Sequence, residues 1–250
     1  MLISSRAVTF PGPRLISRGT PSRGSERSVR WISLLFPEAP ITAAAKSRRN
    51  WRQNLGYRCI SRDILLEASE EFNIPEIKLI RAIQDAPSIL NRLTRQKEKY
   101  VAYIRTALLK QVQKDNLVYH GLFGHFFLQD IPHVLKVRIV ADLEARVADE
   151  VKREGISPAK AREIIVKDDE ERRKWALYLY GADWWDATLY DLVIHLKTIT
   201  VDNAVDLLYH LVQLPGFQTT PESQAAINSL VEAARMEAAP VWWEGAKKNK

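Results

Sequence analysis

Cysteine is almost missing: Cys59 is the one thiol in 250 residues. A single thiol can neither staple a fold nor build a thiolate zinc site, so neither device organises this chain. Beside a distant histidine it could act as a nucleophile; as a small apolar residue on a buried strand it needs no chemistry. No apolar run reaches the ~18 residues that a membrane-spanning helix requires. Acidic residues are scarce at the amino-terminal end. In residues 1–58 only Glu26 and Glu38 face 11 Lys and Arg, a charge of +9. The whole chain carries +7, because the remaining 26 basic residues meet 28 acidic ones. The basicity therefore belongs to the leader. Such a leader adds salt-sensitive attraction to polyanions without making the body a specific reader of nucleic acid. Its Arg- and Ser-rich, acid-poor start also has the composition of a transit peptide. With no further targeting signal, the expectation is a cytoplasmic chain without a membrane anchor.

The apolar share, 46%, is that of a globular protein, and the length suits one α/β domain with tails. Residues 1–14 read as an irregular leader with Pro11, Gly12 and Pro13. A strand-to-loop signal follows at Leu15-Ile16-Ser17. Residues 26–54 are atypical, because Pro37 and Pro40 break any single long helix. Regular patterning begins after Gly56. Tyr57–Ile60 reads as a short strand, and Ser61 caps a helix over 62–72. Further helices begin near Pro75 and cover 94–114, the latter with Tyr100, Ile104, Leu108 and Val112 on one stripe. Residues 116–120, 133–141 and 190–196 read as strands. Asp142 caps one helix, Ser157-Pro158 opens another, and Thr200 caps a third over 201–212. Residues 221–236 form one more. The domain is placed at 15–214, with 215–250 as a helical extension.

Strands alternating with helices of this length imply right-handed crossovers and a mostly parallel sheet of about five strands. Ligands bind such sheets beyond the carboxyl ends of the strands. The residues to examine are those that follow each strand. Gly19-Thr20-Pro21-Ser22-Arg23-Gly24 has the G-x-x-x-x-G spacing of a phosphate cradle, in which backbone N–H groups converge on an anion. Ser25 and Glu26 stand where that pattern carries Lys and Ser or Thr. Arg23 is a candidate replacement cation. An ordinary Gly/Ser turn gives the same letters.

The runs LGYRCISRDILLEASEEFNIPE, VYHGLFGHFFL, HVLKVRIVADLEARV, DDEERRKW, LYLYGADWWD and LYDLVIHLKTITVDNAVDLL come next. In their order and spacing, residues 55–211 resemble the cytidylate kinase-like family of P-loop nucleotide kinases. The resemblance implies a three-layer P-loop kinase-like fold with a helical lid and a C-terminal helix. It implies transfer of the γ-phosphoryl group of ATP, with Mg²⁺, to CMP or a related nucleoside monophosphate. Carried onto this sequence, Gly19, Ser22, Arg23, Gly24 and Ser25 would meet ATP. Arg62, Asp63, His120, Gly121, Gly124, His125 and Asp191 would line the acceptor side. Arg172 and Arg173 would be the lid pair that clamps the phosphoryl group. No residue is assigned to a metal.

Each position has a plain alternative. Arg62 and Asp63 could be an exposed helix start, and a lone histidine is more often structural. The charge run at 168–173 could be a solvated face with Asp168–Arg172 and Asp169–Arg173 pairs. Asp191 could orient a lid arginine or cap a turn. Trp175, Tyr178 and Tyr180 read as packing; Trp184 and Trp185 fit either role. Two functional readings stand side by side: a phosphotransferase, and a nucleotide-binding module of the same fold without turnover. A polyanion-binding protein acting through residues 1–58 is a third.

Overall fold

The structure, a computed structural model, describes residues 31–38, 57–61, 63–84, 94–114, 116–121 and 124–239. Five strands pair in parallel: β1 (Trp31–Glu38), β2 (Arg58–Ile60), β3 (Leu117–His120), β4 (Val134–Val140) and β5 (Leu192–His195). Their spatial order is β2-β3-β1-β4-β5. Trp31 stands opposite both Leu117 and Val134, so β1 is the central strand. The chain reverses its direction across the sheet at that strand. The crevice for a ligand therefore opens where β3, β1 and β4 end.

Four of these strands coincide with the expected ones. The fifth does not: the central strand comes from the proline-bearing segment 26–54. The expected strand at 15–17 lies outside the described residues. The segment leaving the carboxyl end of the central strand thus begins at Ala39, downstream of Gly19–Ser25.

The sheet is the middle of three layers. One face carries helices α1 (Asp63–Phe72), α2 (Glu76–Gln84), α3 (Thr94–Val112), α4 (Gly124–Phe127) and α8 (Pro221–Ala238). Their core holds Ile64, Ala68, Leu79, Ile104, Leu108, Leu128 and Trp175. The other face carries α7 (Val201–Leu211), whose Ala204, Val205 and Leu208 pack on Cys59, Val118, Leu135, Val137, Ile139 and Ile194. Cys59 is 7% exposed inside this layer and acts as a small core residue.

Helix α8, read from sequence as part of an extension, belongs to the core. Ile227, Val231 and Ala234 share one cluster with Tyr103 and Ala107 of α3. Buried Thr106 Oγ1 donates to the carbonyls of Ala102 (2.8 Å) and Ala234 (3.0 Å), which ties the two helices together.

Helices α5 (Leu143–Glu154) and α6 (Pro158–Tyr180) form a hairpin. Gly155 ends α5 at φ 66°, the left-handed conformation that glycine adopts without strain. Ser157 Oγ accepts from Lys160 N at 3.3 Å, and Pro158 fills the first helical position. Val147, Ala161 and Ile165 give the hairpin a small core of its own. The second half of α6 plunges into the main core at Trp175 and Ala176.

Candidate active site

At the carboxyl end of β2, Ser61 turns the chain into α1. Asp63 Oδ2 accepts from Ser61 N at 3.3 Å and holds that turn. His120 ends β3 beside it, with Nδ1 3.4 Å from Ser61 Oγ. The pairing of β2 with β3 brings Ser61 and His120 together at one edge of the crevice. Gly121 is required there: a Cβ would stand 2.5 Å from Tyr119 Oη. Arg62 lies outside the described residues, as do Gly19, Ser22, Arg23, Gly24 and Ser25.

His125 does not face the crevice. Helix α4 turns it inward to 3% exposure. Its Nε2 lies 3.3 Å from Tyr190 Oη, and its ring packs 4.0 Å from Phe126. Burial, helped by the cations Arg138 and Lys136, pushes its pKa down to about 3. Gly124 is buried with it. The expected donor is thus a neutral core residue, because it sits on the four-residue helix α4, whose Gly124, His125 and Phe127 are all buried.

A pH dependence follows. His125 stays neutral in the fold but titrates near 6.5 when unfolded, so the unfolded chain binds the extra proton. Its contribution is fully present above about pH 6.5 and is lost as pH falls toward 3, at up to about 1.4 kcal/mol per unit. Urea unfolding at pH 7 and pH 5 is expected to show a loss that His125→Leu reduces by about 2 kcal/mol. An unchanged slope in that variant would refute it.

Asp191 also takes the plainer role. Its Oδ2 accepts from Lys136 N at 2.7 Å and lies 3.4 Å from Lys136 Nζ. It pins the start of β5 to β4 and reaches no lid arginine. Asp142, at the cap position of α5, makes no cap bond. Its carboxylate instead meets His195 Nε2 and Lys197 Nζ, each at 3.0 Å, across the ends of β4 and β5.

The lid arginines hold the densest chemistry. Arg172 lies 3.3 Å from Asp169 Oδ1 and 3.5 Å from Asp168 Oδ2. Arg173 does not pair with Asp169 as the helical spacing suggests. Its Nε and Nη2 both donate to Asp183 Oδ2 at 2.9 Å, and its guanidinium stacks 4.7 Å from the Trp185 ring centroid. Trp185 N–H donates to Asp183 Oδ1 at 3.1 Å. Burial pushes the Asp183 carboxyl up, but the bonds from Arg173 and Trp185 outweigh it and leave it below the usual range. Trp185 is 40% exposed, whereas Trp184 is in the core with its carbonyl held by Tyr190 Oη at 2.8 Å. Trp175 and Tyr180 pack as expected; Tyr178 is half-exposed.

Sequence reasoning missed three partners here: Arg146, Asp183 and buried Arg138. Arg146 donates twice to Asp169, at 2.7 and 2.9 Å, and joins α5 to α6. Arg138 Nη1 donates to the Trp185 carbonyl at 3.1 Å. Asp183 stands ten residues from Arg173, a spacing that no helical rule connects. The chain after Glu38 reads APITAAAKSRRN. Counted on the G-x-x-x-x-G-K-S pattern, Lys46-Ser47 fall at the lysine and hydroxyl positions, with Pro40 and Ala45 at the glycines. Those positions also lie outside the described residues.

The model of the cytidylate kinase-like family matches residues 52–198, more than half of the chain. The chain belongs to this family. Its strand order and parallel sheet give it the P-loop kinase-like fold, with α5 and α6 as the helical lid. A cytidylate kinase of Archaeoglobus fulgidus is 30% identical over 115 residues, 43% of this chain and 62% of that protein. A cytidylate kinase of Desulfurococcus amylolyticus is 28% identical over 99 residues, 39% of this chain and 52% of that protein. The matches thus span less than two thirds of these relatives. An uncharacterized protein from Eubacterium ventriosum has the same fold, with a TM-score of 0.54 at 16% identity over 73% of this chain and 98% of its own. Among the described residues, no helix of this family member is long and apolar enough to cross a membrane.

Proposed function

We propose that this chain transfers the γ-phosphoryl group of ATP to CMP or a related nucleoside monophosphate. One observation carries the reading: two adjacent lid arginines, each already docked on carboxylate oxygens. A guanidinium that grips one oxyanion is built to grip another, and planar forks suit phosphoryl oxygens. Phosphoryl transfer asks the protein for positioning and charge stabilisation, with no covalent intermediate. In this reading Ser61, Asp63, His120 and Gly121 border the acceptor, and Arg172 and Arg173 close over the transferring group. Among the described residues, no group of three or more His, Cys, Asp or Glu is placed to hold a metal ion. Mg²⁺ would be carried by the nucleotide's own phosphates, where it supplies positive charge.

A second reading, a nucleotide-binding module without turnover, has its own support. Between Glu38 and Gly56 the sequence contains no glycine. Backbone N–H groups converge poorly on a phosphate where every residue carries a Cβ. Gly19–Gly24 keep the glycines but precede the central strand.

A coupled ADP-release assay with ATP, Mg²⁺ and CMP, dCMP, UMP, AMP or GMP decides between the two. Turnover with a pyrimidine monophosphate is the expected result. Nucleotide-dependent thermal stabilisation without turnover would favour the module. Neither response would sink both.

A further inference from the structure

Between α3, α4, the end of α6 and the end of α8 lies a half-open cavity of about 450 Å³. That volume is within the usual range for small-molecule pockets. Its floor is apolar. Val101, Ala102 and Phe127 are buried, and Phe126 and Tyr180 stack at 4.3 Å with an interplanar angle of 9°. Its rim is charged and uneven. Arg105 Nη1 is already neutralised by Glu237 at 3.0 Å. Across the mouth, Glu98 accepts only from Tyr178 Oη, at 3.0 Å, and forms no ion pair among the described residues. The rim therefore carries one carboxylate in excess.

We infer that this cavity binds a small aromatic ammonium compound. The ring lies on the Phe126–Tyr180 stack, and the ammonium group reaches Glu98 across the Tyr178 ring, where ion pairing and cation–π attraction act together. An anion of the same shape would meet two carboxylates and a guanidinium that is already taken. The site thus selects the charge opposite to that of a nucleotide. It lies on α3, α4, α6 and α8 and shares no residue with the lid arginines or with the Ser61–His120 edge.

The probes are 2-phenylethylamine, 2-phenylethanol and 3-phenylpropionate, titrated into the full chain by calorimetry and thermal shift. For nine heavy atoms the amine is expected to bind with a Kd on the order of 1 mM. It should bind at least tenfold more tightly than the carboxylate, with the alcohol between them. At 10 mM it should raise Tm by about 3 °C. Glu98 is exposed, so Glu98→Gln should fold normally and weaken the amine about tenfold, leaving the alcohol unchanged. The Arg172→Ala/Arg173→Ala chain should bind the amine as the wild type does, which keeps this result separate from the phosphotransfer reading. Equal binding of all three probes, no binding at 10 mM, or an amine affinity indifferent to Glu98→Gln would each overturn the inference.

Discussion

Asp169→Ala is expected to destabilise the fold by about 3 kcal/mol, read from urea unfolding at pH 7. The carboxylate takes two bonds from Arg146 and one from Arg172, and the Arg146 and Asp169 side chains are only 10% and 13% exposed. Removing the acid takes two short bonds from a guanidinium that is only 10% exposed between α5 and α6. The cost lies in the poorer solvation of that buried cation more than in the lost attraction. Replacing both partners, as Arg146→Met/Asp169→Leu, should therefore recover most of the loss, because the pair sits beside the apolar cluster of Val147, Ala161 and Ile165. A loss below about 0.5 kcal/mol in Asp169→Ala would mean that the pair behaves as an exposed one and that the hairpin stands on its small core alone.

The same pair shows where the sequence was readable. Helix starts were legible wherever a cap carried its own chemistry. Ser157-Pro158 and Thr200 both act as read, and Asn203 completes a capping box with Thr200 that was not foreseen. Strands β2, β3, β4 and β5 were legible because short, largely apolar runs end at or near Ser61, Gly121, Asp142 and Lys197. Strand β1 was not. WISLLFPE has no alternation and carries Pro37 just before its last residue, which reads as a broken segment. It is a strand because β3 and β4 supply hydrogen bonds along both edges, and those partners lie about 80 and 100 residues away in sequence. A central parallel strand is the element whose local pattern says least about its pairing.

Site residues divide along the same line. Arg172 and Arg173 could be proposed as a pair because the resemblance points to the DDEERRKW run and they are adjacent in one helix. Their partners were not, because Asp183 reaches Arg173 only after α6 ends at Gly181 and the chain turns back. His125 was placed in a loop beside two glycines, and the glycines suggested a ligand. The structure places His125 on helix α4, with its ring in the layer of Tyr190 and Phe126. Asp142 looked like a cap by position, yet His195 and Lys197 at the end of β5 hold its oxygens in place of the backbone N–H groups of α5. In each case a contact across the sheet overrode a signal along the chain.

Arg172→Ala/Arg173→Ala is expected to lower phosphoryl transfer about 10³-fold or more, with much less effect on the KM for the acceptor. Both guanidiniums are parked on carboxylates in this structure: Arg172 on Asp168 and Asp169, Arg173 on Asp183. A transferring phosphoryl group spreads more negative charge over its oxygens than a carboxylate does, so it competes for the same forks best when that charge is developing. The interaction is then stronger in the transition state than with bound substrate, and its loss appears in kcat. Thermal stability should change less than activity, because Arg173 is half-buried and stacked on a half-open Trp185, and Asp169 keeps both of its bonds from Arg146 when Arg172 is lost. Arg173→Lys should recover only part of the rate, since an ammonium keeps the charge but not the bidentate fork. Asp183→Asn separates the two roles of the contact. If Asp183 merely restrains Arg173, the variant should turn over at least as fast as the wild type. If it holds the guanidinium at the angle that phosphate needs, the rate should fall with it. Turnover unchanged in the double alanine variant would reduce both arginines to helix-surface charges.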